Sequence, residues 1–413
     1  MQHSYDVIVI GGGPAGATAS GLLAKRGRRV LVLEREKFPR YHIGESLVPG
    51  MMPVLRELDA IEVVEALDPM KKFGGSLLWG DDPEPWSIDF DEACIHPYAY
   101  EIKRAEFDNL LLTHSRRLGS TVIEEASVRE LVFEQGRCVG VRYSVGRSET
   151  VVEQRARIVI DCSGQAKLLA RRLDTVEWHE DLKNLAVWTY FQGGIRYEGR
   201  KAGNIVIENN PPGWLWMIPF SDGSCSVGFV APSADFASSG LTPPETLRQR
   251  IADSKEVGRM LAGAIEVAAP RTAKDWSYTS SALSAPGVFA AGDAAAFIDP
   301  LFSTGVMLAM KGSSTCAKTV NAILDAPERE EELRAAYEHT YRTFLESVLS
   351  FVRFFYDPGR KVVEYFERAK ALVDPTEALA ARQDFILLIS GLHGMIPVME
   401  IDVEGTAEEP VSA

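Results

Sequence analysis

A chain of 413 residues is two to three times the length expected of a single domain, so two or three packed units with a large core are expected. With 46% hydrophobic and 25% charged residues, 34 Gly and 22 Pro, the composition excludes a mainly disordered or low-complexity protein. Counting 44 Lys plus Arg against 58 Asp plus Glu gives a net charge of −14, which sets long-range electrostatics against nucleic acid or an anionic bilayer as the principal partner.

In chain order, YDVIVI (Tyr5–Ile10) is an apolar run of strand length, followed by a glycine cluster, a helical stretch to Lys25, a stop at Gly27 and a second strand, RVLVLE, ending at Glu34. This pattern predicts a βαβ unit. Phe38 to Gly50 is rich in Pro, Gly and polar residues and predicts an ordered loop, and Met52 to Leu67 has helical spacing. From Lys72 to Tyr100 the chain turns strand-like and aromatic, with Trp79, Trp86, Phe90 and Tyr98, and a second unit begins there. A helix follows from about Arg104 to Leu118, then a strand near Thr121, a hairpin-like alternation from Ser127 to Val152, and the run ARIVIDCSG. Residues 183–231 alternate like sheet, and VFAAGDAAAFIDPLFSTGV (288–306) runs from a strand through a glycine-bearing loop into another helix, so the first unit is interrupted and resumed. From Glu328 onward, Leu333, Tyr337, Tyr341, Phe344, Val348, Phe351 and Phe355 fall along one helical face, a packing surface. The closing GTAEEPVSA is small, acidic and expected to fray. The reading is an α/β fold. Residues 1–70, 101–175 and 285–325 form a three-layer nucleotide-binding unit, 71–100 and 176–284 an antiparallel sheet over its substrate side, and 326–413 a helical C-terminal segment.

Gly11, Gly13 and Gly16 make GxGxxG after a predicted strand and at the mouth of a helix, the context in which that pattern carries weight. The first glycine permits a tight turn, the second lets backbone amides approach a pyrophosphate, and the third allows helix and strand to pack closely. Glu34, 23 residues after Gly11, is placed to accept hydrogen bonds from an adenosine ribose. Gly292 and Asp293 follow an apolar strand, where the aspartate can hold the sugar-alcohol chain of a flavin, a group NAD lacks. With Arg104 heading its helix in YEIKRAEFD, this outline resembles the FAD-dependent monooxygenase superfamily over roughly residues 5–320.

Three further segments resemble flavin-dependent halogenases, in particular the group acting on phenols or pyrroles. Trp214 to Pro219 reads WxWxIP. Phe297, Pro300, Ser303 and Gly305 fit Fx2Px2SxG. MKKFGG places Lys72 two residues before Gly74, and the loop PRYHIGESLVP and the late FVRFFYD fit the same group. The resemblance implies FAD, used as FADH2, held by Gly11, Gly13, Ala15, Gly16, Glu34, Arg40, Arg104, Val128, Asp293, Pro300 and Gly305. It implies chloride or bromide oxidised to hypohalous acid, and Lys72 as the catalytic amine that directs it, with Lys71 as the fallback. Backbone amides near Thr304 and Gly305 can form an anion nest for the halide without a basic side chain. Trp214 and Trp216, at a period of two, face one side of a strand and can wall the substrate off from the flavin. Phe302 stands in the substrate cavity where tryptophan halogenases carry a glutamate. Its absence favours an electron-rich phenol or pyrrole. Partners implied are a flavin reductase and an aromatic substrate, free or tethered to a carrier protein, for which Arg155, Arg157, Arg171 and Arg172 are the candidate docking cluster.

Two other readings stay open. One keeps the fold as an aromatic hydroxylase or prenyl reductase using NADPH directly; the other is a non-catalytic flavoprotein whose aromatic helical stripe is a partner surface. Cys94, Cys138, Cys162, Cys225 and Cys316 lack CxxC spacing, and the seven histidines lack HxxxH or HExxH, so no metal site is expected. Asp161 and Gly164 read as framework around an incidental Cys162, and His179 with Glu180 as a solvent-facing pair or a border of the substrate cavity. No apolar run reaches the ~18 residues of a membrane span, and MQHSYD lacks the order of a signal peptide. A cytoplasmic location is expected.

Overall fold

The computed structural model describes residues 4–81, 84–372 and 381–391. The terminal GTAEEPVSA and its expected fraying lie outside the described residues. Two large sheets organise the chain.

The first has a parallel core in the order Val288–Ala290, Val152–Asp161, Tyr5–Ile10, Val30–Leu33, Thr121–Ile123. Strands covered on both faces read as continuous apolar runs, and Val7, Ile8, Val9 and Val30 to Leu33 are accordingly buried. The helix Pro14–Lys25 packs against Arg104–Arg117 and Gly305–Asp325 on one face. Val152–Asp161 changes partner along its length: Val152 to Arg155 pair antiparallel with Arg137–Val145, and Ala156 to Asp161 pair parallel with Tyr5–Ile10. The expected hairpin is therefore a three-stranded meander, Ala126–Glu134 included.

The second sheet runs Ala296–Phe297, Arg271–Ser280, Val176–Gln192, Ser224–Pro232, Gly213–Pro219, Ile205–Asn210, Gly74–Leu78, Trp86–Asp89, antiparallel except where Ile205–Asn210 meets Gly74–Leu78. Its central strand Ser224–Pro232 is buried on both sides, because Val227, Phe229 and Ala231 join a second core with Phe236, Leu247 and Met260 while Val230 faces the main core. Gly228 stands between two indoles: a Cβ there would lie 2.3 Å from the Trp216 ring and 2.7 Å from the Trp188 Cβ.

Met52 to Leu67 forms two short helices, Met52–Glu57 and Ile61–Glu65, rather than one; Asp59 between them adopts φ 55°, a left-handed turn that ends the first. The aromatic stripe on Glu330–Phe355 is buried at every expected position. It packs inside the chain, partly against Gly305–Asp325, which removes it as an exposed partner surface. Among the described residues no helix is long and apolar enough to cross a membrane, and no cluster of three or more His, Cys, Asp and Glu could hold a metal.

Candidate active site

A cleft of about 670 Å³ runs between the two sheets. One end is made by the turn from Tyr5–Ile10 into Pro14–Lys25. Gly11 has φ +98°, and a Cβ on it would lie 2.3 Å from the Cys162 carbonyl oxygen; a Cβ on Gly16 would lie 1.9 Å from that of Gly11. Only glycine fits these positions, and the bare backbone opens onto the cleft. Glu34, at the end of Val30–Leu33, is buried and accepts from the Gly12 amide (2.5 Å) and the Glu36 amide (2.7 Å), which fixes its carboxylate at the cleft wall.

Gly11, Gly13, Ala15, Glu34, Arg40, Arg104, Val128, Asp293, Pro300 and Gly305 all line this cleft, while Gly16 packs behind it. Asp108, fully buried, accepts two bonds from Arg104 (2.7 and 2.9 Å) and one from Arg40 (2.9 Å). Arg104 also donates to the carbonyls of Ile43 and Gly44 (3.0 and 3.3 Å), so one guanidinium pins the loop Phe38 to Gly50 against its helix. Burial pushes the Asp293 carboxyl up to about 6, against the pull of Arg104 and Lys167. A glycine cradle, a ribose-height carboxylate and a second carboxylate farther along the cleft fit a flavin dinucleotide.

At the middle of the cleft, Pro300–Phe302 forms a short 3-10 turn, Ser303 takes φ +59°, and the 21-residue helix Gly305–Asp325 begins. Ser303, Gly305 and Val306 line the cleft, a Cβ on Gly305 would meet nothing within 4 Å, and the first amides of the helix have no acceptor within the helix itself. The Thr304 side chain turns away, buried, its hydroxyl without a partner. Phe302 is not among the residues that line this cleft. Its ring packs on Phe351 and Phe355 at 5.3 and 4.8 Å between centroids, against the buried aromatic face of Glu330–Phe355.

Trp214 and Trp216 line the far end with Trp188, Ile205 and Ile218. Trp214 Nε1 donates to the Tyr356 hydroxyl (2.9 Å), which donates to Asp299 Oδ2 (2.6 Å); Asp299 Oδ1 accepts the Leu301 amide (3.0 Å). The tryptophan wall is thereby tied to the turn at 300–305 and to the end of the long helix. Burial raises the Asp299 carboxyl to about 6.

Lys72 is 3% exposed. Its Nζ donates to Ser46 Oγ (2.7 Å) and lies 3.9 Å from Glu101 Oε1, to which Ser46 also donates (3.1 Å). Met70–Lys72 pairs with Ala99–Glu101, and the loop joins the same ribbon through Leu47 N to Tyr100 O (3.0 Å) and Ile102 N to Glu45 O (2.9 Å). Burial pushes the Lys72 amine below its usual range, opposed by Glu101, and lifts the Glu101 carboxyl to about 8. Ser46 lines the cleft, so Lys72 stands one hydrogen bond behind the wall. Lys71 points outward, 47% exposed, with Glu65 at 3.4 Å.

Of the arginine cluster, Arg155 is held by Glu134 and Glu153 and Arg157 donates to the Leu324 carbonyl, which leaves Arg171 and Arg172 as the exposed pair. His179 and Glu180 lie off the cleft; Glu180, 75% exposed, pairs with Lys183. Asp161, fully buried, accepts the Ser163 and Leu169 amides, and burial raises the neighbouring Cys162 thiol well above its usual range. Sequence reasoning passed over Tyr41, Glu45, Trp188 and Tyr190. The first two lie within PRYHIGESLVP, where Glu45 as the one acidic residue was the available signal.

The fold and the glycine cradle define a flavin-dependent oxidoreductase, and residues 6–172 match the family model described as FAD dependent oxidoreductase. Residues 92–387 match the tryptophan halogenase model. The tryptophan 2-halogenase of Chondromyces crocatus is 33% identical over 381 residues, 90% of this chain and 72% of its own. The 1H-pyrrole-2-carbonyl-peptidyl-carrier protein chlorinase of Pseudomonas fluorescens is 29% identical over 379 residues, 86% of this chain and 84% of its own. The solved structure of the myxobacterial chondrochloren halogenase CndH superposes with a TM-score of 0.82 at 32% identity, covering 94% of this chain and 90% of that one. The chain belongs to the flavin-dependent halogenases: it is an FAD enzyme that halogenates an aromatic substrate with FADH2 and O2.

Proposed function

We propose that the substrate is an electron-rich phenol or pyrrole, free or carrier-bound, and that Lys72 directs hypohalous acid onto it. The observation that carries this reading is one cleft bordered by Gly11 and Glu34 at one end, Gly305 in the middle, and the Trp214–Trp216 wall with Ser46, the partner of Lys72, at the other. Reduced FAD with O2 supplies the oxidant for chloride or bromide. The open amides at the start of Gly305–Asp325 hold the halide. Trp188, Trp214 and Trp216 separate the arene from the cofactor, which disfavours direct oxygenation and leaves a diffusible oxidant to cross the gap. The Lys72 amine, made less basic by burial, hydrogen-bonds that oxidant and fixes its approach to one ring carbon by exchanging its bond to Ser46.

A tethered substrate is supported by the Pseudomonas fluorescens relative, whose name records a carrier-bound pyrrole. FADH2 comes from a partner flavin reductase. The test combines enzyme, FAD, a reductase, NADH and chloride or bromide with a panel of phenols and pyrroles, free and carrier-bound. A product with the halogen isotope pattern is expected. Turnover that ignores halide would instead establish the hydroxylase or reductase reading.

A further inference from the structure

We infer that Glu45 is the general base that takes the hydroxyl or ring N–H proton of the arene, and that Tyr190 and Tyr41 connect it to solvent; this rests on the phenol or pyrrole reading above. Glu45 is 2% exposed and lines the cleft. It precedes Ser46 in the ribbon, so the two side chains leave on opposite faces: Ser46 toward Lys72 and Glu101, Glu45 toward the tryptophan-bearing sheet.

Glu45 Oε1 accepts the Tyr190 hydroxyl (2.9 Å), Tyr190 meets the Tyr41 hydroxyl (2.9 Å), and Tyr41 accepts from Trp188 Nε1 (2.5 Å). Each phenol carries one proton. Tyr190 gives its proton to Glu45, so Tyr41 must give its own to Tyr190, and the chain is directional. It starts at Tyr41, 37% exposed at the cleft mouth, and ends on a carboxylate whose Oε2 has no hydrogen-bond partner of good geometry, with the Ser226 hydroxyl close by. A buried carboxylate oxygen left without a donor is costly, and a turn of the carboxyl that brings Oε2 to the cleft surface lets a substrate O–H or N–H supply the missing donor.

The step balances. The substrate O–H (or N–H) bond breaks as an H–Oε2 bond forms, and the electron pair stays on the substrate, raising the nucleophilicity of the ring. The ring carbon–halogen bond forms as the O–X bond of hypohalous acid breaks. The hydroxide released takes the Glu45 proton and becomes water. The ring C–H proton, lost as aromaticity returns, goes back to the substrate oxygen or nitrogen through Glu45. The net change is arene plus hypohalous acid to haloarene plus water, and the tyrosines equilibrate Glu45 with solvent between turnovers. Burial raises the Glu45 carboxyl to about 7, opposed by Tyr190, Ser226, Arg104 and Lys103. Glu101 and Tyr41 are the other titratable groups coupled to this site. A base of that strength is poised for neutral pH.

The test uses the FAD holoenzyme with its reductase, a phenol that the wild type halogenates and the O-methyl ether of that phenol. The wild-type rate on the phenol should rise with pH through about 7, as Glu45 ionises. Glu45→Gln should remove that limb and lose about 10²-fold on the phenol, but less than about tenfold on the ether, which has no proton to give. Tyr190→Phe, which deletes the bond favouring the carboxylate, should move the limb to higher pH. On FAD-free protein, an ultraviolet difference titration should find the bound phenol ionising about one pH unit higher on the wild type than on Glu45→Gln, because two anions repel. If the wild type makes product and Glu45→Gln keeps both the limb and the rate, Glu45 is not the base and the substrate reading stands. If the wild type halogenates no phenol or pyrrole at all, the substrate reading falls and this inference with it.

Discussion

The two ends of the cleft are built differently. The end at Gly11 and Glu34 is backbone work: a left-handed glycine, a close helix–strand crossing and a carboxylate bonded to an amide 22 residues away. The far end is assembled from side chains brought together across the chain, with Trp188 bonded to Tyr41 at a separation of 147 residues and Trp214 to Tyr356 at 142. Short-range geometry is fixed by which residue can adopt a turn. Long-range geometry depends on the register of a whole sheet, so the first end is rigidly specified and the second is free to vary with the substrate.

Substitutions can break or sharpen that contrast. The largest effect is expected for Gly16→Ala, whose methyl would lie 1.9 Å from the Gly11 carbonyl oxygen, backbone against backbone. More than about 3 kcal/mol of stability should be lost and the purified protein should carry no FAD, read by denaturant unfolding and flavin absorbance. Next comes Lys72→Ala, which should keep its FAD yet lose about 10²-fold in halogenated product by mass spectrometry. A variant that keeps full product yield would show that delivery does not pass through this amine. Phe302→Leu should cost about 1.5 kcal/mol in thermal unfolding and leave the choice among phenols and pyrroles unaltered, since the ring serves the helix interface rather than the cavity. The smallest effect belongs to Lys71→Ala: a half-exposed lysine with a loose partner should change turnover less than about twofold, one residue from Lys72.

The glycine cradle, Glu34, Asp293 and the paired tryptophans were legible in the sequence because each obeys a local rule: a turn that excludes Cβ, or a strand that alternates. Phe302 was misplaced because its neighbours in sequence, Ser303 and Gly305, do face the cleft, and the left-handed Ser303 reverses direction between them. The Lys72–Ser46–Glu101 group was half visible. The lysine was marked by its motif, but its partners come from a loop and a strand that meet only when the ribbon closes. Glu45 and Tyr190 were invisible as a pair, since 145 residues separate them and no local pattern links the loop of the one to the strand of the other.

The packed rings of Phe302, Phe351 and Phe355, with the Trp214–Tyr356–Asp299 tie beside them, make the turn at 299–305 and the long C-terminal helix one mechanical piece. Anyone recombining this enzyme with a relative should therefore treat residues 299–305 and the stretch through Tyr356 as a single cassette. A graft that swaps the turn alone would seat it on the wrong floor and tilt the indole wall with it.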